Sequence, residues 1–250
     1  MTDAEIPADH PRHDSLLTRH RIEEGVDAGI TSRQGLIAEG RGEAFDYLLG
    51  EETIPSADRA ARAAAAQLLL AEHPVLSVNG NAAALVPDEL VELASVVDAD
   101  LEVNLFNRTD ERMAAIADHL RAHGADDVKG LAGDGRIPGI EHERATVDAD
   151  GIGDADVVLV PLEDGDRAEA LADVGKTEIV IDLNPLSRSA RTAAIPVVDN
   201  IVRAIPNVIA HARDLADASD DELRSVLDAF DPEAALEDAE ERLRGGVTDE

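Results

Sequence analysis

Cysteine is absent from the 250 residues, which excludes disulfide bonds, a zinc site built on thiolates and a thiol nucleophile. Aromatic residues are nearly absent, with three Phe, one Tyr and no Trp, so ring stacking is not the main way in which this protein holds a base. Hydrophobic residues still make up 44% of the chain. That fraction is enough for a core of Ala, Val, Leu and Ile, and wholesale disorder is excluded.

Lysine is also scarce, because Lys129 and Lys176 are the only lysines among 22 basic residues. Acidic residues number 54, and the formal net charge is −32. Such a surface repels phosphate backbones, so we expect no nucleic-acid partner. The acids run along the whole chain rather than in one tail, which predicts a halophilic protein whose self-repulsion is screened by salt.

Long apolar runs are missing as well, since no stretch approaches the length needed to span a bilayer. The first residues, MTDAEIPADHPR, are polar and acidic, unlike a signal peptide. We therefore expect a soluble, cytoplasmic protein without a membrane partner.

Two kinds of segment alternate along the chain. Helical patterns occupy residues 15–28, 33–49 and 56–72, and no convincing strand precedes Pro74. Beyond it, short apolar runs at residues 75–78, 101–106, 156–161, 178–183 and 195–198 alternate with helical patterns at 87–97, 109–123 and 166–174. This alternation predicts one α/β domain with a Rossmann-like, doubly wound and mostly parallel sheet. A helical N-terminal segment (1–72) precedes the sheet core (73–200), and C-terminal helices (201–250) follow it, while residues 124–155 show no clear pattern.

Polar clusters stand at four predicted strand ends, namely residues 79–81, 104–109, 163–167 and 182–184. Asn, Asp and Gly are common in ordinary turns, so one such cluster means little. Ligands bind beyond the carboxyl ends of parallel strands, and four clusters on one edge favour a shared site.

Arg19 and Arg41 each fall on a helical stripe with apolar neighbours, respectively Leu16, Ile22 and Val26, and Ile37, Ala44, Phe45 and Leu48. A guanidinium cannot lose its proton, so an inward arginine needs an anion. One interpretation is a phosphate-bearing ligand, and the other is an internal Asp or Glu partner or a solvent-exposed tip. Gly40 and Gly42 flank Arg41 and indicate either close approach of a ligand or tight helix packing.

Two short glycine-containing segments do not match known nucleotide-binding motifs. Gly175-Lys176-Thr177 resembles the end of a phosphate-binding P-loop, but a helix precedes it and a strand follows, the reverse of the required order. The dinucleotide-binding glycine fingerprint is absent, because no third glycine follows Gly40 and Gly42 and the segment does not follow a strand. The eight histidines show no metal-ligand spacing, and no protein-bound metal is predicted.

Four long blocks carry a family resemblance: HPRHDSLLTRHRIEEGVDAGITSRQGLIAEGRGEAFDYLLGE, SVNGNAAALVPDELVELA, LEVNLFNRTDER and DADVVLVPLEDGDRAEALADVGKTEIVIDLNPLSRSARTAAIPVVDNIVRAIPN. The chain resembles the archaeal 4-phosphopantoate–β-alanine ligases, also called phosphopantothenate synthetases, from about Ile6 to Asn207. One position departs from that pattern, because Glu39 stands before Gly40-Arg41-Gly42 where the family has His, and it is assigned no role.

The resemblance implies an enzyme of coenzyme A biosynthesis that consumes ATP, with Mg²⁺, and releases AMP and pyrophosphate in making 4′-phosphopantothenate. It also implies a homodimer. The implied ATP contacts are Arg19, Arg41, Asp182, Leu183, Asn184, Arg188, Ser189, Asn200 and Ile201.

Roles for some of these residues follow from the reaction. If an acyl-adenylate forms, negative charge builds on pyrophosphate, and Arg19, Arg41 and Arg188 are candidates to stabilise it. Asp182 closes a strand and is a candidate for the ribose hydroxyls. Arg108 opens a predicted helix whose amino end favours anions, so it is our candidate for the substrate phosphate.

Two other functions share this fold class. A dehydrogenase that uses NAD(P) is the enzyme alternative, although the missing glycine fingerprint argues against it. A non-catalytic nucleotide sensor is the other. Titration with NAD(P) against ATP, and a search for AMP with both substrates present, distinguish the three.

Overall fold

The computed structural model describes Pro7, His10, residues 12–162 and residues 165–246, so the sequence-based remarks on Glu163, Asp164 and the chain ends lie outside the described residues. In chain order its elements are α1 (His13–Asp27), α2 (Arg33–Leu49), α3 (Pro55–Leu70), β1 (Pro74–Val78), α4 (Gly80–Leu85), α5 (Pro87–Val97), β2 (Asp100–Val103), α6 (Asp110–Ala122), β3 (Gly135–Arg136), a 3-10 helix (Glu143–Ala145), β4 (Thr146–Val147), β5 (Val157–Pro161), α7 (Gly165–Asp173), β6 (Thr177–Asp182), α8 (Arg188–Thr192), β7 (Ile195–Val198), α9 (Ile201–Asp214), α10 (Asp220–Asp228) and α11 (Pro232–Gly245).

Five strands form one sheet in the order β2-β1-β5-β6-β7, and every neighbouring pair is parallel. The chain moves outward from β1 to β2, returns to β5 on the other side of β1 and continues to β7. The winding direction therefore reverses between β1 and β5, where such sheets leave a crevice beyond the carboxyl ends of the strands. The predicted Rossmann-like, doubly wound sheet is confirmed.

Both faces of the sheet are covered, as the apolar strand sequences predict. One apolar cluster joins Leu76, Leu159 and Ile179 to side chains of α3, α5, α6 and α9. A second cluster joins Val158 and Val160 to α7 and to the segment around β4. Burial at about 25 cal/mol per Å² makes these two layers the main source of stability.

Elements that are short or that begin with polar residues differ from the sequence-based expectation. The polar cluster at residues 79–81 is the start of α4, because Asn79 caps that helix by accepting a hydrogen bond from the Ala82 amide at 3.0 Å. The strand predicted to reach residue 106 ends at Val103. There the Asn104 amide donates to the carbonyls of Arg144 and Thr146, which draws the chain toward the β3–β4 pair.

The unclear segment 124–155 contains the two-stranded antiparallel sheet of β3 and β4. Each strand has two residues, too few to show a period. The five-residue α8 is also short, and it begins where the Ser187 hydroxyl accepts from the Ala190 amide. In the part of the chain that the structure describes, no helix combines the length and apolar character needed to cross a bilayer.

A buried ion cluster ties α2 to the carboxyl edge of the sheet. Arg203 on α9 contacts Asp46 of α2 at 2.6 Å and Asp199, just after β7, at 2.9 Å. The exposed fractions of these side chains are 13%, 9% and 2%, respectively. Burial raises the pKa of Asp199 above its usual value although Arg203 opposes the shift, so the carboxylate depends on this cation.

We expect Arg203→Ala to lower the free energy of unfolding by about 3–5 kcal/mol, because it leaves two buried carboxylates without their cation. Urea denaturation at constant salt measures this change. Arg224→Ala is the matched control, since Arg224 contacts the exposed Asp220 and such surface pairs contribute about 0–1 kcal/mol. Equal effects of the two substitutions would contradict the role given to the cluster.

Candidate active site at the carboxyl edge of the sheet

The crevice at the reversal point is closed at its base by one side chain. Asn79, directly after β1, donates its amide to the carbonyl of Pro161 at the end of β5 at 2.8 Å. Leu162, the next residue, has a left-handed backbone (φ 53°), a conformation that costs a non-glycine residue about 1–2 kcal/mol. Strain of this size is maintained where the surrounding structure fixes it, and it commonly marks functional positions.

Helix α2 lies across this edge and is also held at its amino end. The buried Asn81 donates to the Gly35 carbonyl at 3.0 Å and accepts from the Thr31 hydroxyl. A Cβ at Gly35 would lie 2.1 Å from the Thr31 hydroxyl oxygen and 2.4 Å from the Asn81 amide oxygen, so this approach requires glycine. With the Arg203 cluster at the other end, α2 is fixed over the strand ends.

Two adjoining cavities lie under and beside α2. The larger, of about 230 Å³, is lined by residues that include Arg41, Asn104, Arg112 and Arg144. The narrower, of about 20 Å³, is lined by residues that include Glu39, Leu183, Asn200 and Ile201. Asn79, Asn81 and Leu162 line both, so the two cavities meet at the crevice.

The residues predicted for ATP from the resemblance fall into two groups. Leu183, Asn200 and Ile201 line the narrow cavity, and Arg41 lines the larger one. Asp182 shapes the turn before Leu183, because its carboxylate accepts from the Ser187 hydroxyl at 2.6 Å and from the Asn184 amide at 3.1 Å. Ser189 is buried next to this turn, in α8. These residues frame the ends of β6 and β7.

Arg19 and Arg188 stand apart from both cavities. The Arg19 side chain is 49% exposed and pairs with Glu43, so the inward orientation predicted from its helical stripe is wrong. The buried positions of α1 are Ser15, Thr18, Ile22 and Gly25, a stripe beside the one we predicted. The side chain of Arg188 is 54% exposed and contacts Asp166 and Glu169.

The apolar stripe predicted to carry Arg41 inward lies mostly on the outer side of α2, with Phe45 as its buried member. Ile37 is 79% and Leu48 49% exposed, whereas the buried positions are Gly35, Gly42, Phe45 and Leu49. Arg41 reaches the larger cavity from this exposed side. A Cβ at Gly40 would meet nothing within 4 Å, and one at Gly42 would lie 3.2 Å from the Asn200 amide nitrogen, which favours helix packing as the reason for Gly42.

Two arginines that line the larger cavity were not predicted from the sequence. Arg112 follows the polar start of α6, and Arg144 lies in the segment that showed no pattern. Arg108, our candidate for the substrate phosphate, donates instead to the Gly130 carbonyl at 2.7 Å and is not among the residues that line this cavity. The signal that would have marked Arg112 is its position beside the apolar face of α6.

Glu39 brings an ionisable group to the narrow cavity. Burial raises the pKa of Glu39 to about 7, Asp46 adds to that rise and Arg41 opposes it. This carboxyl group therefore exchanges its proton near neutral pH.

The fold and these cavities define a Rossmann-like α/β protein with a polar, arginine-containing site at the carboxyl edge of its sheet. The profile of the phosphopantothenate/pantothenate synthetase family matches residues 56–246. A protein of Thermococcus kodakarensis named 4-phosphopantoate–β-alanine ligase is 55% identical over 244 residues, which cover 97% of this chain and 94% of the relative.

Relatives with the same name in Methanosarcina mazei and Methanospirillum hungatei are 53% and 49% identical over 239 residues. Each match covers 96% of this chain, and they cover 93% and 96% of those relatives, respectively. The chain belongs to the phosphopantothenate synthetase family, and the family assignment made from the sequence is confirmed.

Replacing Glu39 by Gln removes a group whose pKa is about 7 in the folded chain and about 4.5 when unfolded. In the wild type, the folded state binds the Glu39 proton more tightly than the unfolded state does. Loss of this proton therefore lowers the free energy of unfolding as pH rises from about 4.5 through 7. We expect Glu39→Gln to gain about 1–3 kcal/mol relative to the wild type between pH 4.5 and 8.

Urea denaturation at constant salt measures that difference. Glu237→Gln, an exposed position on α11, is the control and is expected to change the free energy of unfolding by about 0.5 kcal/mol or less, as is usual for surface substitutions. A pH-independent difference for Glu39→Gln would contradict the burial of this carboxyl group.

Proposed function

We propose that this chain joins 4-phosphopantoate to β-alanine at the expense of ATP, with release of AMP and pyrophosphate and formation of 4′-phosphopantothenate for coenzyme A. The observation that carries the proposal is the 49–55% identity, along nearly the whole chain, to proteins named 4-phosphopantoate–β-alanine ligase. The larger cavity at the strand ends, which contains three arginines, supports it, because both ATP and the acid substrate are anions. ATP use follows from membership of a ligase family.

ATP lies over the narrow cavity at the ends of β6 and β7 in this proposal. That cavity, of about 20 Å³, is too small to enclose a nucleotide, so the adenosine rests on the sheet edge. The proposed contacts are Arg19, Arg41, Asp182, Leu183, Asn184, Arg188, Ser189, Asn200 and Ile201.

The three arginines of this set differ in the contacts that they must break in order to bind ATP. Within the described residues Arg41 has no carboxylate partner and donates only to the Ala38 carbonyl. Arg19 and Arg188 are held by carboxylates in exposed pairs, which contribute about 0–1 kcal/mol each. A triphosphate therefore displaces those carboxylates at little cost.

The proposed chemistry has two steps. A carboxylate oxygen of 4-phosphopantoate attacks the α-phosphorus of ATP. The bond from that phosphorus to the oxygen that bridges the α- and β-phosphates breaks, and pyrophosphate leaves with the electron pair of this bond. The amine of β-alanine then attacks the acyl carbon, AMP leaves as the second product, and the nitrogen loses a proton. Fixed guanidinium groups aimed at the leaving phosphates stabilise the first step, and alignment of the three reactants lowers the barrier of both.

Magnesium is expected to enter with the nucleotide. Among the described residues no group of three or more His, Asp or Glu side chains is arranged to hold a metal ion. That agrees with the usual chemistry of Mg²⁺, which binds substrate phosphates and water with few protein ligands. The ion supplies positive charge at the phosphates when bound.

The proposal includes a homodimer formed through the outer side of α2. Leu36, Ile37, Tyr47 and Leu48 are 40–79% exposed there, an apolar patch on an otherwise acidic protein. Patches of this kind mark protein interfaces. A second copy on this side lies next to Arg41 and so covers the open side of the larger cavity.

We also propose that the protein works in the cytoplasm of a halophilic cell. The net charge of −32 suits a halophilic cell, where salt screens the repulsion. The supply of ATP and β-alanine suits the cytoplasm.

Purified chain in high salt with ATP, Mg²⁺, 4-phosphopantoate and β-alanine is expected to produce AMP, pyrophosphate and 4′-phosphopantothenate in equal amounts, measured by ion-exchange chromatography. Arg41→Ala should raise the KM for ATP by about 10-fold or more, because it removes a charge-assisted contact to the triphosphate.

Arg33→Ala, an exposed position on the same helix, is the control and is expected to leave kinetics unchanged. ADP as the product would refute the acyl-adenylate, and no nucleotide consumption would refute the ligase. Unchanged kinetics of the Arg41 variant would remove that residue from the site.

Ile37→Asp is expected to convert the dimer to a monomer, because it places a charge in the centre of the apolar patch. Light scattering coupled to size-exclusion chromatography gives the mass. Val174→Asp replaces another exposed apolar residue, located after α7, and should remain dimeric. A monomeric wild type, or a dimeric Ile37 variant, would rule out this interface.

A further inference from the structure

The larger cavity at the sheet edge has a positively charged lining among the described residues. Among the described residues that line it, three are arginines, Arg41, Arg112 and Arg144, and none is Asp or Glu. The chain as a whole has 54 acidic and 22 basic residues. Four other cavities that we compared each have at least one carboxylate in their linings. In the part of the lining that the structure describes, this balance of charge is therefore the reverse of that in the chain as a whole.

Arg112 is held in place by neutral groups. Its two terminal nitrogens donate to the carbonyls of Asn107, at 3.1 Å, and Ile30, at 3.3 Å. No ion pair within the described residues involves Arg112, and burial lowers its pKa. The guanidinium is oriented by these carbonyls while its charge is left for a ligand.

Arg144 is the most buried of the three, with 6% exposure. Its Nε donates to the Asn104 amide oxygen at 3.2 Å, and the Asn104 amide nitrogen donates back to the Arg144 carbonyl at 3.3 Å. This reciprocal pair fixes the side chain before any ligand arrives. Preorganised guanidinium groups bind phosphate oxygens with two parallel hydrogen bonds.

The rest of the lining matches a small branched acid with a phosphate at one end. Leu105 and Phe106 offer apolar surface, and Gln34 and Asn107 offer amides. The wall shared with the narrow cavity, formed by Asn79, Asn81 and Leu162, lies on the side of the proposed nucleotide. A substrate whose phosphate and carboxylate stand at opposite ends of a short chain therefore reaches from one cavity to the other.

We infer that Arg112 and Arg144 form the subsite for the phosphate of the acid substrate. In this arrangement the two methyl groups of 4-phosphopantoate lie against Leu105 and Phe106. The carboxylate is directed to the wall of Asn79 and Asn81, where the nucleotide is attacked. The inference rests on the proposed function for the identity of the substrate. Arg112 and Arg144 replace Arg108 as the candidates for contact with the phosphate.

Steady-state kinetics of Arg112→Gln and Arg144→Gln test the subsite. Each is expected to raise the KM for 4-phosphopantoate by about 10- to 100-fold, the effect of one charge-assisted phosphate contact, with the KM for ATP unchanged. With pantoate, which lacks the phosphate, variants and wild type should react equally. Arg112→Lys keeps the charge and loses the planar fork, so a smaller rise is expected.

Matched controls are Arg121→Gln, which removes the same charge from an exposed position on α6, and Arg108→Gln, which tests the competing position. Both are expected to keep the wild-type KM for 4-phosphopantoate. Circular dichroism and melting temperature check folding, and Arg112→Lys and Arg144→Lys carry the test if a Gln variant does not fold.

Calorimetric titration of ATP-free protein with 4-phosphopantoate separates this inference from the proposed function. Binding that depends on Arg112 and Arg144 supports the subsite even if no ligation occurs. A ligating enzyme whose variants keep their KM and binding would overturn the subsite alone. Wild-type protein that neither binds nor ligates would overturn both, and a loss specific to Arg108→Gln would return the phosphate to that residue.

Discussion

Arg203 holds together parts of the molecule that are far apart in sequence, because its guanidinium contacts Asp46 of α2 and Asp199 after β7. Helix α2 buries few side chains of its own, so apolar contact alone fixes it weakly. The ion cluster at one end and the Asn81 contacts at the other set the position of α2 above the strand ends. Both cavities are bounded by this helix, and their shapes therefore depend on that position.

A strongly acidic protein that binds anions must solve an electrostatic problem, since its own field repels the ligand. This chain orients the guanidinium groups locally, because carbonyls hold Arg112 and an amide oxygen accepts from Arg144. Arginine suits that task better than lysine. Its planar guanidinium can donate some of its hydrogen bonds to neutral acceptors, which fix its orientation, and it stays charged. High salt weakens the repulsion at the surface more than the contacts inside the cavity.

The sheet was predictable because parallel strands covered on both faces have apolar runs that no other element shares. The polar residues after β1 and β6 were predictable for a related reason, since strand ends meet at one edge. The orientation of Arg19 and Arg41 was not, because α1 buries the small residues Ser15, Thr18 and Gly25 beside Ile22, and α2 has apolar residues on an exposed side as well as on the buried one. Ile37 and Leu48 follow helical spacing and yet face outward, so spacing alone could not select the side.

The rest of the site depends on contacts between distant segments. Arg144 enters it through its exchange of hydrogen bonds with Asn104, 40 residues earlier, which no local pattern in the sequence reveals. Arg112 is placed by carbonyls of a neighbouring loop and of Ile30. The family resemblance pointed to Arg41 in the larger cavity and gave no information on Arg112 or Arg144.

Helix α3 packs against α9 and the sheet with alanines that have no exposed surface, among them Ala60, Ala63 and Ala66. Side chains this small let the helix backbone approach its neighbours closely, and larger ones would force strain into a filled interior. Diversification of this enzyme is consequently confined to its periphery: new specificities must arise in the loops above the strands, while the interior beneath them admits almost no substitution that adds volume.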